Sequence, residues 1–398
     1  MEIVLAQETG EDRYSRFRLI PWWDQSKIAR SRVLVIGAGA LGNEILKNLA
    51  LLGFRNVIVV DSDRIEVTNL SRTVLFRAED IGKPKAVVAA RAYCAIAEDA
   101  RVEPITANVV HGCGLGLFEW ADLILAGLDN REARLWINRA AWKMGRPWID
   151  GAIEGINGVA RVFLPGHAPC YECTLGEVDW AILNRRMSCN LLVHRVDSEG
   201  KVPTTPTISS IIAGIQVQEA VKLLHDLPTL AGRGFVFEGL NHTSYTVEYT
   251  ENPDCMSHDT IPKLVRIEQP SSALSLKDLW NRARQDLETD AVTLEFSREV
   301  IHRLVCPKCG VAEELFAPVG SVYFDQAKCV HDGENRIVET IHGFTGNEPW
   351  HDRRLNQLGL PLFDVVTARS EEQEIGYLFD GDGDAVLGVL AENRSGKP

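Results

Sequence analysis

The sequence predicts an α/β protein: a doubly wound parallel sheet, then a smaller α+β domain built around a cysteine knuckle. Three observations carry that expectation. Over the first 250 or so residues, short apolar runs alternate with segments of helical period. The first run ends in a glycine-rich loop that opens a helix. After about residue 259 the alternation stops, and a Cys-Pro-Lys-Cys-Gly turn follows at 306–310.

Taken in order, residues 32–36 (RVLVI) are one continuous apolar run, the length of a buried strand. Residues 42–52 (GNEILKNLALL) have helical spacing, and 57–60 (VIVV) and 123–125 (LIL) read as further buried strands. Residues 153–163 hold Asn157-Gly158 between β-rich flanks, a hairpin signal. The segment 203–206 (PTTP) opens a long helix, 208–224, apolar on most faces and so expected to be buried. The first domain is expected to span 1–258, with a loop at about 174–206. Residues 259–275 read as a linker. Residues 276–398 read as the second domain: an amphipathic helix at 276–287, short strands, a cysteine cluster and frayed last residues. The acidic run 380–384 (DGDGD) departs from a calcium loop, which needs a glutamate at its twelfth position, and reads as a solvated hairpin turn.

Composition excludes several classes. A net charge of −13 argues against a nucleic-acid binder, which needs a basic face. No stretch reaches the roughly 18 apolar residues of a membrane span. The N-terminus, MEIVLAQETGEDRYSRF, lacks the basic start and long apolar run of a signal peptide. The expectation is a cytoplasmic protein with no membrane or nucleic-acid partner. Four of the nine cysteines form two C-x2-C pairs, which in a reducing compartment read as zinc ligands rather than disulfides.

The chemistry begins at Gly37-Ala38-Gly39-Ala40-Leu41-Gly42, a G-x-G-x-x-G between strand and helix, as in a Rossmann-like fold. Glycines there let the backbone approach a phosphate, and the helix N-terminus supplies amide donors. Asp61 stands 19 residues after Gly42, where a carboxylate accepts hydrogen bonds from a ribose. Asp63, Asn69, Arg72 and Lys85 follow, a charge set suited to a triphosphate more than to a dinucleotide. Asp129 lies at the C-terminal end of a strand, where such sheets bind ligands, and a carboxylate beside a triphosphate holds magnesium.

These residues resemble the ThiF/MoeB and ubiquitin-activating family over about Arg13 to His258. The motifs are RYSRF at 13–17, GAGALG at 37–42, DSD at 61–63, NLSR at 69–72, GKPK at 82–85, DNREARLWIN at 129–138 and PCYEC at 169–173. The resemblance implies the ThiF/MoeB adenylation fold and ATP-dependent adenylation of the C-terminal carboxylate of a ubiquitin-like protein. It implies Asp61 at the ribose, Asn69, Arg72 and Lys85 at the phosphates and Asp129 on Mg2+. It also implies a homodimer in which Arg16 reaches the neighbouring subunit's ATP site. Thr73 stands where the family usually has glutamine. A single chain with this whole set looks like a bacterial or archaeal member.

In this family Cys170 and Cys173 bind a structural zinc with a second pair, here read as Cys255 and His258. Cys306 and Cys309 form a zinc-ribbon turn whose partners are expected to be Cys329 and His331; the alternative is that Cys306 and Cys309 complete the first site. Cys189 follows Arg185-Arg186, which would favour the thiolate, and the family carries its reactive cysteine in this loop. Residues 186–218 resemble small homodimeric activating enzymes, in which that cysteine holds a thioester. Some relatives use instead the cysteine before threonine, here Cys173. Cys94 and Cys113 read as structural. Three outcomes stay open: thioester formation on Cys189 and transfer to a conjugating enzyme, sulfur transfer through a thiocarboxylate, or a non-catalytic scaffold. The second domain lacks the C-x4-R loop of a rhodanese, and is expected to recruit a modifier or conjugating enzyme.

Overall fold

The computed structural model describes residues 11–167, 169–181, 183 and 203–393. An eight-stranded sheet has the order β3-β2-β1-β4-β5-β6-β7-β8. Its parallel part comprises β1 (Arg32–Ile36), β2 (Asn56–Val60), β3 (Arg101–Ile105), β4 (Leu123–Ala126) and β5 (Trp148–Glu154). An antiparallel meander then adds β6 (Asn157–Phe163), β7 (Arg233–Glu238) and β8 (Thr243–Glu248). A β5–β6 hairpin forms where Asn157-Gly158 signals one, but the turn is Gly155-Ile156, with Gly155 at φ +59°, and Asn157 and Gly158 are paired residues of β6.

The parallel strands read as continuous apolar runs because both faces are covered. Alternate residues point opposite ways. Val33, Val35, Val57 and Val59 pack on α2 (Ala40–Leu52) through Ile45 and Leu49, with Ile212 and Val217 joining the same core. Leu34, Ile36, Ile58 and Ile124 face the other side. There they meet Phe118 and Ile137, the one on a short helix, Leu115–Trp120, the other on a long one, Arg131–Lys143. The buried helix expected at 208–224 is observed as Pro206–Leu224, with Pro206 at its first turn. Since the chain runs from β1 outward to β2 and β3, then returns to β4 on the other side, a crevice opens between the C-terminal ends of β1 and β4.

A second, six-stranded sheet is formed by β9 (Leu264–Ile267), β10 (Thr293–Val305), β11 (Ala312–Pro318), β12 (Ile337–Phe344), β13 (Val365–Arg369) and β14 (Glu374–Phe379). The helix Leu276–Asp286 covers it, started by a Ser275/Asp278 capping box. Two expectations are corrected here. The stretch 259–275 contains an edge strand, β9, parallel to β14, and is not a free linker. Four residues flanked by prolines carry little strand signal, and the partner lies more than 100 residues on. Residues 380–384 are not a solvated turn either. Asp380 accepts from Arg266 (2.9 Å), and Asp382 accepts from the Ser271 amide (3.1 Å). Among the described residues, no helix is long and apolar enough to cross a membrane.

The two sheets share a core. Phe363, Val365, Leu378, Leu387 and Leu390 are buried in the same cluster as Leu34 and Ile124. Arg298 donates to the carbonyls of Val110 (2.8 Å) and Cys113 (2.7 Å), while Asp364 accepts from the Leu115 amide (2.8 Å). Burial in this seam pushes the Cys113 thiol up to about 12, so it stays a neutral packing group.

Candidate active site

The three glycines of the loop serve different ends. Gly37 sits at φ +93°, and a Cβ there would lie 2.5 Å from the Gly127 carbonyl oxygen. A Cβ on Gly42 would fall 1.9 Å from the Gly37 oxygen, so Gly42 lets α2 approach the end of β1. Beside Gly39 nothing lies within 4 Å. That open side faces the crevice at the N-terminus of α2, the fit expected for a phosphate.

Asp61 follows β2 directly and braces the loop: one carboxylate oxygen accepts from the Ala38 amide (2.7 Å), the other from the Asp63 amide (2.8 Å). Burial pushes its carboxyl above the usual range, against the pull of Lys85. Lys85 is nearly buried, with Nζ 2.7 Å from Asp63. In the same GKPK loop, Lys83 turns away to Asp80 (3.0 Å), so Lys85 is the lysine of that loop that lines the crevice. Asn69 is buried, its side-chain oxygen accepting from the Glu66 amide (2.9 Å). Arg72 donates to the Thr68 carbonyl (2.7 Å), and the Thr73 hydroxyl closes the turn on the Asn69 carbonyl (2.9 Å).

Across the crevice, Asp129 follows β4, and the neighbouring Asn130 caps the next helix by accepting from the Ala133 amide (2.8 Å). Gly39, Asp63, Asn69, Arg72, Lys85 and Asp129 thus line one cleft of about 1130 Å³. The cleft continues past Arg161 to Asn157 and Glu238 on the antiparallel meander. Arg16 is exposed at a turn before Phe17–Leu19 and does not line this cleft. Cys189 lies outside the described residues.

The sequence did not single out the floor of the cleft. Asp150 is fully buried between Arg134 (2.8 Å) and Arg161 (3.0 Å). Burial opposes its ionisation, but the two guanidinium groups outweigh it and hold the carboxyl below the usual range. Two cations on one anion give this triad a net charge of +1. Arg134 belongs to the quoted motif 129–138, so a signal was there; Arg161 carries none, because only the β5–β6 pairing brings it to Asp150. Asn138, four residues beyond Arg134, accepts from the Tyr171 amide (3.0 Å) and from Trp148 (3.3 Å). One helix therefore connects the cleft to the cysteine knuckle.

At that knuckle Cys170, Cys173, Cys255 and His258 converge, as the sequence reading paired them. The Cys170 sulfur is 3.8 Å from that of Cys173 and 3.6 Å from that of Cys255, and Cys173 is 3.4 Å from His258 Nε2. His258 also stacks on Trp142, centroids 4.8 Å apart. Three thiols and an imidazole at these separations fit a tetrahedral zinc ion. In the second lobe Cys306, Cys309 and Cys329 converge with Asp332. The expected fourth member, His331, is exposed and outside the group. Consecutive residues of a tight loop point different ways, and only the folded loop selects between them.

Comparison with known proteins places the chain in a family. The sequence profile of the ThiF family matches residues 11–257. The chain belongs to the ThiF family. Within that family it is 32% identical over 257 residues to the SAMP-activating enzyme E1 of Haloferax volcanii, covering 62% of this chain and 88% of the relative. It is 30% identical over 259 residues to the sulfur carrier protein adenylyltransferase of Thermus thermophilus, covering 61% and 89%. It is 45% identical over 157 residues to the NEDD8-activating enzyme E1 catalytic subunit of Arabidopsis thaliana, and spans 34% of that subunit's length. Among solved structures, E. coli MccB with ATP shares the fold at a TM-score of 0.53 and 23% identity, over 63% of this chain and 75% of that one. The ThiF-family span holds the whole cleft and the three cysteines of the first group, with His258 one residue past its end, while the second sheet and the second cysteine group lie beyond it.

Proposed function

We propose that this ThiF-family chain uses MgATP to adenylate the C-terminus of a ubiquitin-like protein, then carries the acyl group as a thioester on Cys189 for transfer to a conjugating enzyme. The observation that carries this reading is the single cleft. It joins an open glycine loop, Arg72, Lys85 and the carboxylates Asp63 and Asp129 at one end to a rim of mixed polar and apolar residues, among them Asn157, Phe237 and Glu238, at the other. In this reading Asp61 holds the ribose, Asn69, Arg72 and Lys85 the phosphates, and Asp129 the magnesium ion, which neutralises phosphate charge when bound. The C-terminal tail enters over the β6–β7 rim. A carboxylate oxygen of the tail attacks the α-phosphorus, the bond to pyrophosphate breaks, and an acyl-adenylate results. The positive cleft floor stabilises the negative charge that builds up at that centre. The Cys189 thiolate then attacks the acyl carbon and AMP leaves. Arg16 completes the ATP site of the other subunit in a cytoplasmic homodimer. Zinc held by Cys170, Cys173, Cys255 and His258 keeps the knuckle closed beneath the helix Arg131–Lys143.

The likeness to the Thermus sulfur carrier protein adenylyltransferase, over nearly the same span, favours a second reading in which the acyl-adenylate is consumed by a sulfur donor. One experiment separates them. The chain, a ubiquitin-like protein encoded beside its gene and MgATP are run on a non-reducing gel. A thiol-sensitive adduct that needs ATP and disappears in Cys189→Ala supports the thioester. Pyrophosphate release without an adduct supports sulfur transfer, and release of neither product rejects adenylation.

A further inference from the structure

We propose that the second lobe binds its own zinc ion through Cys306, Cys309, Cys329 and Asp332, a three-thiolate, one-carboxylate site independent of the adenylation cleft. Distances carry the argument. Tetrahedral zinc, with Zn–S near 2.3 Å and Zn–O near 2.0 Å, sets S···S at about 3.8 Å and S···O at about 3.5 Å. The Cys309 and Cys329 sulfurs are 3.7 Å apart, and the Cys306 sulfur is 3.6 and 3.4 Å from the two Asp332 oxygens. All four donor atoms lie within 4.8 Å of one another. These separations match those of the first cysteine group and are far longer than a disulfide bond of about 2.0 Å.

Both ligand loops are shaped for the task. After β10, the Cys309 amide donates to the Cys306 sulfur (3.4 Å), and Gly310 turns the chain at φ +74°. Before β12, the Cys329 amide donates to the Glu334 carbonyl (2.8 Å) and the Gly333 amide to the Cys329 carbonyl (2.9 Å), with Gly333 at φ +73°. That second turn carries Asp332 inward and leaves His331 outside. Beneath the two loops the buried apolar cluster is small: Ile301, Leu304, Val322 and Ala327, with Leu315, Val319, Phe324 and Val338 partly buried around it. A core of that size gives little cohesion, the circumstance in which small lobes use a metal staple. The ion would tie the β10–β11 turn to the segment entering β12.

The test is zinc content of the purified full chain by mass spectrometry, with chelator competition. Wild type is expected to carry two zinc ions per chain, Cys329→Ala one and Cys255→Ala one. Asp332→Ala should release the second zinc to chelator at least tenfold more readily, while Asp332→His and His331→Ala keep both. Should the cysteine variants fail to fold, cobalt titration of metal-free wild type decides, read by the thiolate-to-metal charge-transfer absorption: saturation at two equivalents supports the site. One equivalent of zinc or cobalt in the wild type that Cys255→Ala removes and Cys329→Ala keeps overturns the proposal. Zinc release that follows His331→Ala rather than Asp332→Ala overturns the ligand assignment.

Discussion

At the residue scale, Gly39 and Gly42 separate a steric role from a binding one. A methyl on Gly42 would strike the Gly37 backbone at 1.9 Å, which cannot yield without moving the loop. Gly42→Ala should therefore lower the melting temperature and abolish ATP binding together. Gly39→Ala meets no protein atom, so its melting temperature should stay near wild type while the KM for ATP rises tenfold or more. Equal ATP affinity in Gly39→Ala would mean that no phosphate approaches there. Asp80 offers a pH test. Burial alone would push its carboxyl up, but hydrogen bonds from Arg91, Lys83 and the Arg77 amide outweigh it and hold the pKa at about 2. The unfolded chain's value is about 3.9. A depressed folded pKa gives stability that is complete above about pH 4 and lost as pH falls through about 2. The stability advantage of wild type over Asp80→Asn should follow that window in denaturant titrations. Because Asp80 anchors the loop that presents Lys85, the same variant should also raise the KM for ATP.

At the element scale, the helix Arg131–Lys143 carries the machinery. Asn130 starts it, Arg134 secures the cleft floor, and Asn138 and Trp142 brace the knuckle. Arg134 also donates to the Gly151 carbonyl (3.1 Å) and to that of Leu128, just before Asp129. Arg134→Ala leaves the buried Asp150 with one partner and should cost about 3 kcal/mol, measured by urea unfolding. An effect below about 1 kcal/mol would mean that Arg161 alone satisfies Asp150. The motif at 129–138 was legible through its resemblance to the ThiF/MoeB family, which brings Asn130, Arg134 and Asn138 together in one continuous segment. Its division into ligand-facing and structural members was not, because Asp150, Tyr171 and His258 come from elsewhere in the chain.

At the scale of the whole molecule, the second sheet is not an appendage. Burying Phe363, Val365, Leu378, Leu387 and Leu390 against the first sheet contributes roughly 10 kcal/mol, at about 1.5–3 kcal/mol per side chain. That is comparable with the net stability of a typical domain, about 5–15 kcal/mol. Removing residues 263–398 should therefore yield an aggregating chain without a cooperative melt. A soluble, cooperatively melting truncation would show instead that the first sheet stands alone. A partner-recruiting role of the second lobe is better tested by surface substitutions, since deletion exposes the core of the cleft domain.

Sequence alone determined the parallel sheet, the glycine loop and the C-x2-C and C-x2-H ligand pairs, while the joining of the first cysteine group and the roles of the polar set rested on the family resemblance. In each case the signal is local: strand runs of fixed length, a loop between strand and helix, or paired ligands at short spacing. Only the tertiary structure decided that 259–275 holds a strand, that Asp332 rather than His331 joins the second cysteine group, and that Arg161 shares Asp150 with Arg134. It alone decided that the second sheet completes the core of the first. Those outcomes depend on contacts between distant segments and on the direction a side chain takes in a folded loop, neither of which leaves a periodic trace in the chain.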